Sequence, residues 1–131
     1  MDNTRQRLIR ESFAASNQGR IHFAEVIKQM MEAGVESYCV DYRGRAATYY
    51  LDNDEVLSLT MESSPAAIGK DFDAKAVHAA IRGAQTGAVM YPEFKRLSMQ
   101  AGCVRYTVWI AGRQVTYCGR KGETHVERFP D

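Results

Sequence analysis

Apolar residues first recur along this chain at helical spacing and then switch to strict alternation, and the switch happens twice. Leu8, Ile9, Ser12 and Phe13 share one face of a helix predicted over 4–17. Thr4 or Asn3 can cap that helix, and Gly19 can end it in a left-handed conformation. Phe23, Val26, Ile27, Met30 and Met31 then form the apolar stripe of a second helix over 22–33, with Gly34 as its stop. The second half follows the same grammar. Asp73 caps a helix carrying Val77, Ala80, Ile81 and Ala84, and Gly87 closes it. Pro92 then suits the first turn of a helix carrying Phe94, Leu97 and Ala101 before Gly102.

After each helix pair the period becomes two. Tyr38, Val40 and Tyr42 alternate with Ser37, Cys39 and Asp41, and Tyr106, Val108 and Ile110 alternate with Arg105, Thr107 and Trp109. Gly44 and Gly112 stand where each hairpin must turn. A two-residue type I′ loop at Arg43-Gly44 predicts Val40 opposite Ala47 and Tyr38 opposite Tyr49. The second hairpin gives Val108 opposite Val115 and Tyr106 opposite Tyr117. A third short strand is expected in each half, at 56–59 and 124–129.

The two halves also match residue by residue at an offset of 68. Without a gap, Gly19 to Leu57 falls on Gly87 to His125, and twelve of those 39 positions are identical. The fold class expected is α+β: an internal duplication of a helix-helix-β-meander unit, with antiparallel strands and helices packed around one shared core. Residues 1–131 are read as one domain of two repeats, about 4–60 and 72–129, joined by a short linker at 61–71 that contains Ser63-Ser64-Pro65 and Gly69.

Composition narrows the functional classes without choosing one. Hydrophobic content of 45% and charged content of 25% are those of an ordinary globular protein. A net charge of +1 provides no overall field for a polyanion or an anionic membrane, so nucleic acid is disfavoured as a partner. No stretch is apolar for long enough to span a bilayer, and the polar start Met1-Asp2-Asn3-Thr4-Arg5 shows no secretory signal. Cys39, Cys103 and Cys118 are odd in number and lack Cys-x-x-Cys spacing, as expected of reduced thiols in a cytoplasmic protein.

Gly87, Tyr91-Pro92-Glu93-Phe94, Ala101-Gly102, Tyr106, Thr116-Tyr117, Gly122 and Glu127 resemble an uncharacterised bacterial and prophage family, YbcV-like and often labelled "phage envelope protein". The first half follows the same template through Phe23, Ala33-Gly34-Val35, Tyr38-Cys39-Val40-Asp41 and Thr48-Tyr49-Tyr50. The resemblance implies a small cytoplasmic protein without an established activity, and it carries over no catalytic residue. Two departures stand out: Cys103 where the first half has Val35, and Asp52-Asn53-Asp54 in place of the turn at Gly122.

Candidate chemistry is sparse. His22, His78 and His125 are far apart in sequence, with no ligand spacing to each other or to a cysteine, so no metal site is expected. No phosphate loop, nucleophile elbow or dinucleotide fingerprint points to a cofactor. The duplicated carboxylates Glu25/Glu93 and Glu55/Glu123 read as cap and turn residues rather than an acid/base pair, and no catalytic residue is assigned. Arg45 and Arg113, each following a hairpin glycine, could grip a carboxylate or phosphate or brace the other half. Trp109, the only tryptophan, falls on the polar strand face with Arg105, Thr107 and Thr116, where an aromatic marks an interface. Arg5, Arg7 and Arg10 with Arg113, Arg120 and Lys121 read as solvated positives rather than a phosphate-binding face.

The leading functional expectation is therefore a non-catalytic binding or adaptor module, acting through Trp109 on an unknown protein partner or by self-association. The alternative is a small-molecule or anion-binding protein, extending to an enzyme. Its site would be a groove between the two repeats lined by Tyr38, Tyr106, Arg45 and Arg113.

Overall fold

A computed structural model describes residues 1–62 and 66–130; Ser63-Ser64-Pro65 of the expected linker lies outside the described residues. The order helix-helix-strand-strand-strand occurs twice. Helices α1 (Asn3–Asn17) and α2 (Phe23–Glu32) precede β1 (Val35–Asp41), β2 (Ala46–Leu51) and β3 (Val56–Thr60). Helices α3 (Ala74–Gln85) and α4 (Tyr91–Gln100) precede β4 (Cys103–Trp109), β5 (Gln114–Gly119) and β6 (Thr124–Arg128).

All six strands form one antiparallel sheet in the order β3-β2-β1-β4-β5-β6. Its centre is the pairing of β1 with β4, which sets Tyr38 opposite Val108 and Val40 opposite Tyr106. One sheet face is apolar and packs under the helices. A single cluster of buried residues there joins Ile9, Val26 and Met30 to Tyr38, Tyr49, Val77, Phe94, Tyr106, Val108 and Tyr117. The other face carries Cys39, Thr48, Tyr50, Thr107, Trp109, Thr116 and Val126, all partly or fully exposed. This alternation is that of a sheet covered on one side.

Local chemistry explains most boundaries. The Asp2 carboxylate, rather than Thr4 or Asn3, caps α1 by accepting from the Arg5 N–H at 2.7 Å. An ionised acceptor at the positive helix end outcompetes the amide and hydroxyl one and two residues later. Asp73 caps α3 through the Ala76 N–H at 3.0 Å, and Pro92 occupies the first turn of α4. Within α2, Val26 and Met30 are buried, but Met31 is 62% exposed. The expected stripe was therefore too wide, because a ten-residue helix on a sheet buries only a narrow arc.

Both hairpins show the expected pairs, Val40–Ala47 with Tyr38–Tyr49, and Val108–Val115 with Tyr106–Tyr117. The turn geometry differs from the expected two-residue type I′ loop. The ladder closes at Asp41–Ala46, leaving four turn residues, and positive φ falls on Arg45 (53°) and Arg113 (56°) rather than on Gly44 or Gly112. Gly44 has a different reason to lack a side chain. The Asp41 carboxylate folds over the turn to accept the Arg43 and Gly44 N–H groups, both at 3.0 Å, and a Cβ on Gly44 would meet it at 2.8 Å.

After β3 the chain returns along the end of α4, with the Gly69 N–H on the Met99 carbonyl (2.9 Å) and the Asp73 N–H on the Ala101 carbonyl (2.8 Å). Gly102 is thereby backed by main chain. It has φ +89°, and a Cβ would stand 2.2 Å from the Asp71 carbonyl oxygen. Gly34, at φ +75°, faces only the end of the Arg5 side chain. Gly34→Ala should cost about 1 kcal/mol from left-handed strain alone, since Arg5 can move aside. Gly102→Ala should cost about 3 kcal/mol or more, because a backbone carbonyl must be displaced. Urea unfolding of the two variants measures the difference, and equal losses would contradict the close approach.

Candidate functional site

Beneath the helices, the aromatic residues of the four central strands bound a cavity of about 100 Å³. Tyr38, Tyr49, Tyr106 and Tyr117 contribute from the sheet, while Tyr91 and Phe94 close it from α4 and Ser12 and Phe13 from α1. The rings are held by one another. Tyr38 stacks on Tyr49 with centroids 5.1 Å apart, and Tyr106 lies 5.6 Å from Tyr117. These are the cross-strand pairs that the register dictates. The Tyr106 hydroxyl donates to that of Tyr91 at 2.7 Å, and the Tyr42 hydroxyl pairs with that of Ser98 at 2.8 Å. Burial raises the hydroxyls of Tyr38, Tyr42 and Tyr106 well above the ordinary tyrosine value, so they stay protonated and act as neutral hydrogen-bonding groups.

One fully buried side-chain oxygen in the wall has no hydrogen-bond partner. Ser12 is 2% exposed, and its Oγ makes no hydrogen bond among the described residues. A buried hydroxyl in this state costs about 1–3 kcal/mol, which a ligand bearing a donor or acceptor would recover. Periodicity placed Ser12 on the inward face of α1; its lack of a partner depends on contacts from several elements and has no sequence signal.

Of the residues singled out from the sequence, Tyr38 and Tyr106 meet in this cavity. The two arginines do not join them. Arg45 is exposed at its hairpin, and Arg113 lies with its guanidinium 5.6 Å from the Phe129 ring centroid. Trp109 is 43% exposed on the opposite sheet face, with Nε1 donating to the Thr116 hydroxyl at 3.3 Å. Glu25 accepts the His22 N–H at 3.1 Å, and Glu123 accepts the Lys121 N–H at 2.8 Å, so both satisfy local backbone. Glu93 instead pairs with Arg96, and Glu55 with the Met1 amine and Asn53. The basic groups are dispersed: Arg5 reaches Asp52, Arg7 lies near Glu11, and Arg120 donates to the carbonyls of Ile68 and Gly69.

Two of the histidines, distant in sequence, meet in the fold. His78 and His125 are 47 residues apart in sequence, yet their rings lie 5.9 Å apart, centroid to centroid, and both contact Glu127. His125 and Glu127 alternate on the helix-facing side of β6, opposite Tyr117 and Val115, and α3 brings His78 over them. Partial burial works to raise the Glu127 carboxyl, but the hydrogen bonds from His125 and His78 outweigh it and hold the group below its ordinary value.

No helix of the described residues is long and apolar enough to cross a membrane. Residues 44–127 match a family described as "Protein of unknown function (DUF1398)". Uncharacterized proteins of Mycobacterium bovis and Mycobacterium tuberculosis are 34% identical over 58 residues, covering 44% of this chain and 35% of each relative. The matched segment thus spans about a third of the length of these curated relatives. These similarities show an uncharacterised family, and they carry neither the YbcV-like nor the phage-envelope label.

Thiol chemistry separates the three cysteines. Cys103 is fully buried, and burial pushes its thiol up to about 12; Cys39 and Cys118 are partly exposed on the other sheet face. At pH 8 roughly one Cys103 thiol in ten thousand is then ionised. Iodoacetamide at that pH should modify Cys39 and Cys118 in the native protein and reach Cys103 only after unfolding. Mass spectrometry of the digested protein checks this, and native labelling of Cys103 would contradict its buried position.

Proposed function

The chain belongs to this family of proteins of unknown function, whose description carries no chemistry, and we propose from the geometry that it binds a small, largely apolar molecule bearing one hydrogen-bonding group. The observation that carries this reading is the unpartnered Ser12 hydroxyl in the wall of a cavity walled by five tyrosines. Aromatic walls with a few polar groups are the usual composition of a small-molecule site. A volume of about 100 Å³ fits something the size of one ring or a short acyl chain. The tyrosine rings brace one another across the strands and form the walls of the space. This reading keeps Tyr38 and Tyr106 of the expected groove and leaves Arg45 and Arg113 outside it. Two copies of a helix-helix-meander unit would account for the placement, since equivalent tyrosines then meet at the central pairing of β1 with β4.

Phenol and benzene test the reading directly. Phenol should raise the melting temperature of the native protein more than benzene, because only phenol satisfies the hydroxyl. Ser12→Ala should stabilise the unliganded protein by about 1 kcal/mol and remove the preference for phenol. No shift with either probe, or an unchanged preference in Ser12→Ala, would sink the proposal.

A second reading, capture of a protein partner or self-association, is favoured by a separate observation. The helix-free sheet face exposes Tyr50 (44%), Trp109 (43%) and Val126 (50%). Large apolar side chains in that setting serve association better than solubility. Trp109→Ala should shift sedimentation toward a smaller species while changing stability by less than about 1 kcal/mol. Unchanged sedimentation would count against self-association through this face.

A further inference from the structure

The His78–His125–Glu127 cluster carries chemistry that the aromatic cavity does not explain. Nδ1 of His78 and Nε2 of His125 stand 3.2 and 3.0 Å from the same carboxylate oxygen, Oε2 of Glu127. All three donor atoms lie within 4.8 Å of one another. Around a tetrahedral ion with bonds of about 2.0–2.1 Å, donors are separated by roughly 3.3 Å. Two edges of such an arrangement are already formed. The third, between the imidazoles, can close by rotation of His78, whose side chain is 47% exposed. His125 and Glu127 are more enclosed, at 23% and 20%, and their alternation along β6 gives them a fixed spacing.

Packing alone does not call for these residues. The positions 68 residues earlier are Arg10, Leu57 and Leu59, and both leucines are buried against the same helical layer. An edge strand can therefore be completed here with aliphatic side chains, and β6 instead turns an imidazole and a carboxylate inward.

We propose that His78, His125 and Glu127 form a binding site for a divalent transition-metal ion of the zinc class, with a fourth position open to water or a small ligand. Imidazole and carboxylate together suit zinc and its first-row neighbours better than magnesium or calcium, which take mostly oxygen donors. Three protein donors and one open position are the arrangement of reactive rather than purely structural zinc. Glu127 also lines the aromatic cavity, so the metal site adjoins it. The site stands independently of any molecule bound in that cavity.

Calorimetric titration of the chelator-treated protein with Zn²⁺ alone should show one site per chain. Co²⁺ should bind with the intense visible bands of a four-coordinate ion and without thiolate charge transfer. His78→Gln should weaken Zn²⁺ binding at least about tenfold while leaving the melting temperature in chelator unchanged. His22→Gln should bind like the parent protein. The proposal is overturned if His78→Gln binds Zn²⁺ as well as the parent does. It is also overturned if the parent's cobalt spectrum shows thiolate charge transfer, which would place the ion on the cysteines, or if no stoichiometric binding occurs. The cobalt spectrum needs no variant, so it decides the question even where a substitution perturbs folding.

Discussion

The pairing of β1 with β4 is the constraint on which the rest of this structure depends. Each half of the chain supplies only three short strands, whose apolar faces are too small to hold two helices by themselves. Joined through Ser37–Asp41 and Arg105–Trp109, they become one six-stranded surface with a continuous aromatic and aliphatic face. The join places the two tyrosine pairs on neighbouring central strands and leaves β3 and β6 as edges. A break at this seam would expose Tyr38, Val40, Tyr106 and Val108 together, all of them now at most 5% exposed.

That seam also explains why a cavity lies above it. Tyrosine rings are rigid and must pack edge to face or offset, so four of them on adjacent strands cannot fill space as branched aliphatics do. The Tyr106 hydroxyl finds its partner in Tyr91 of α4, and the neighbouring Tyr42 pairs with Ser98 of the same helix. What remains is a volume bounded by rings, roofed by helices and reached by one unsatisfied serine. The same aromatic content that fixes the register therefore leaves room for a guest.

Register and element order were legible in the sequence because they depend on local periodicity. Tyr38 opposite Tyr49 and Tyr106 opposite Tyr117 follow from alternation and the position of a turn, and a slip of one residue would have exposed every ring. The turn type was not legible. The Asp41 side chain stabilises a four-residue turn with Arg45 in the left-handed region, and a side chain folding back over its own loop leaves no periodic trace. Cap identity failed for a similar reason, since Asp2, Asn3 and Thr4 are all competent and only geometry ranks them. The candidate site divided along the same line. Tyr38 and Tyr106 were found through strand pattern, whereas the meeting of His78 with His125 depends on how α3 crosses β6, a tertiary relation that neither segment encodes alone.

The asymmetry between the two edge strands shows how these layers of information fit together. Leu57 and Leu59 on β3 bury side chains worth roughly 1.5–3 kcal/mol each, and an identical choice was open to β6. With His125 and Glu127 there instead, that hydrophobic contribution is forgone and a carboxylate must be stabilised by two imidazoles. Inward charges on an edge strand can discourage edge-to-edge pairing, but a lone lysine would serve that purpose without a partner from α3. The convergence of three donors from two elements is more specific than edge protection requires. Where one edge strand is content with leucine, the other spends stability on a carboxylate and two imidazoles beside an aromatic cavity, and that difference between halves of the same element order is where the molecule's function is best sought.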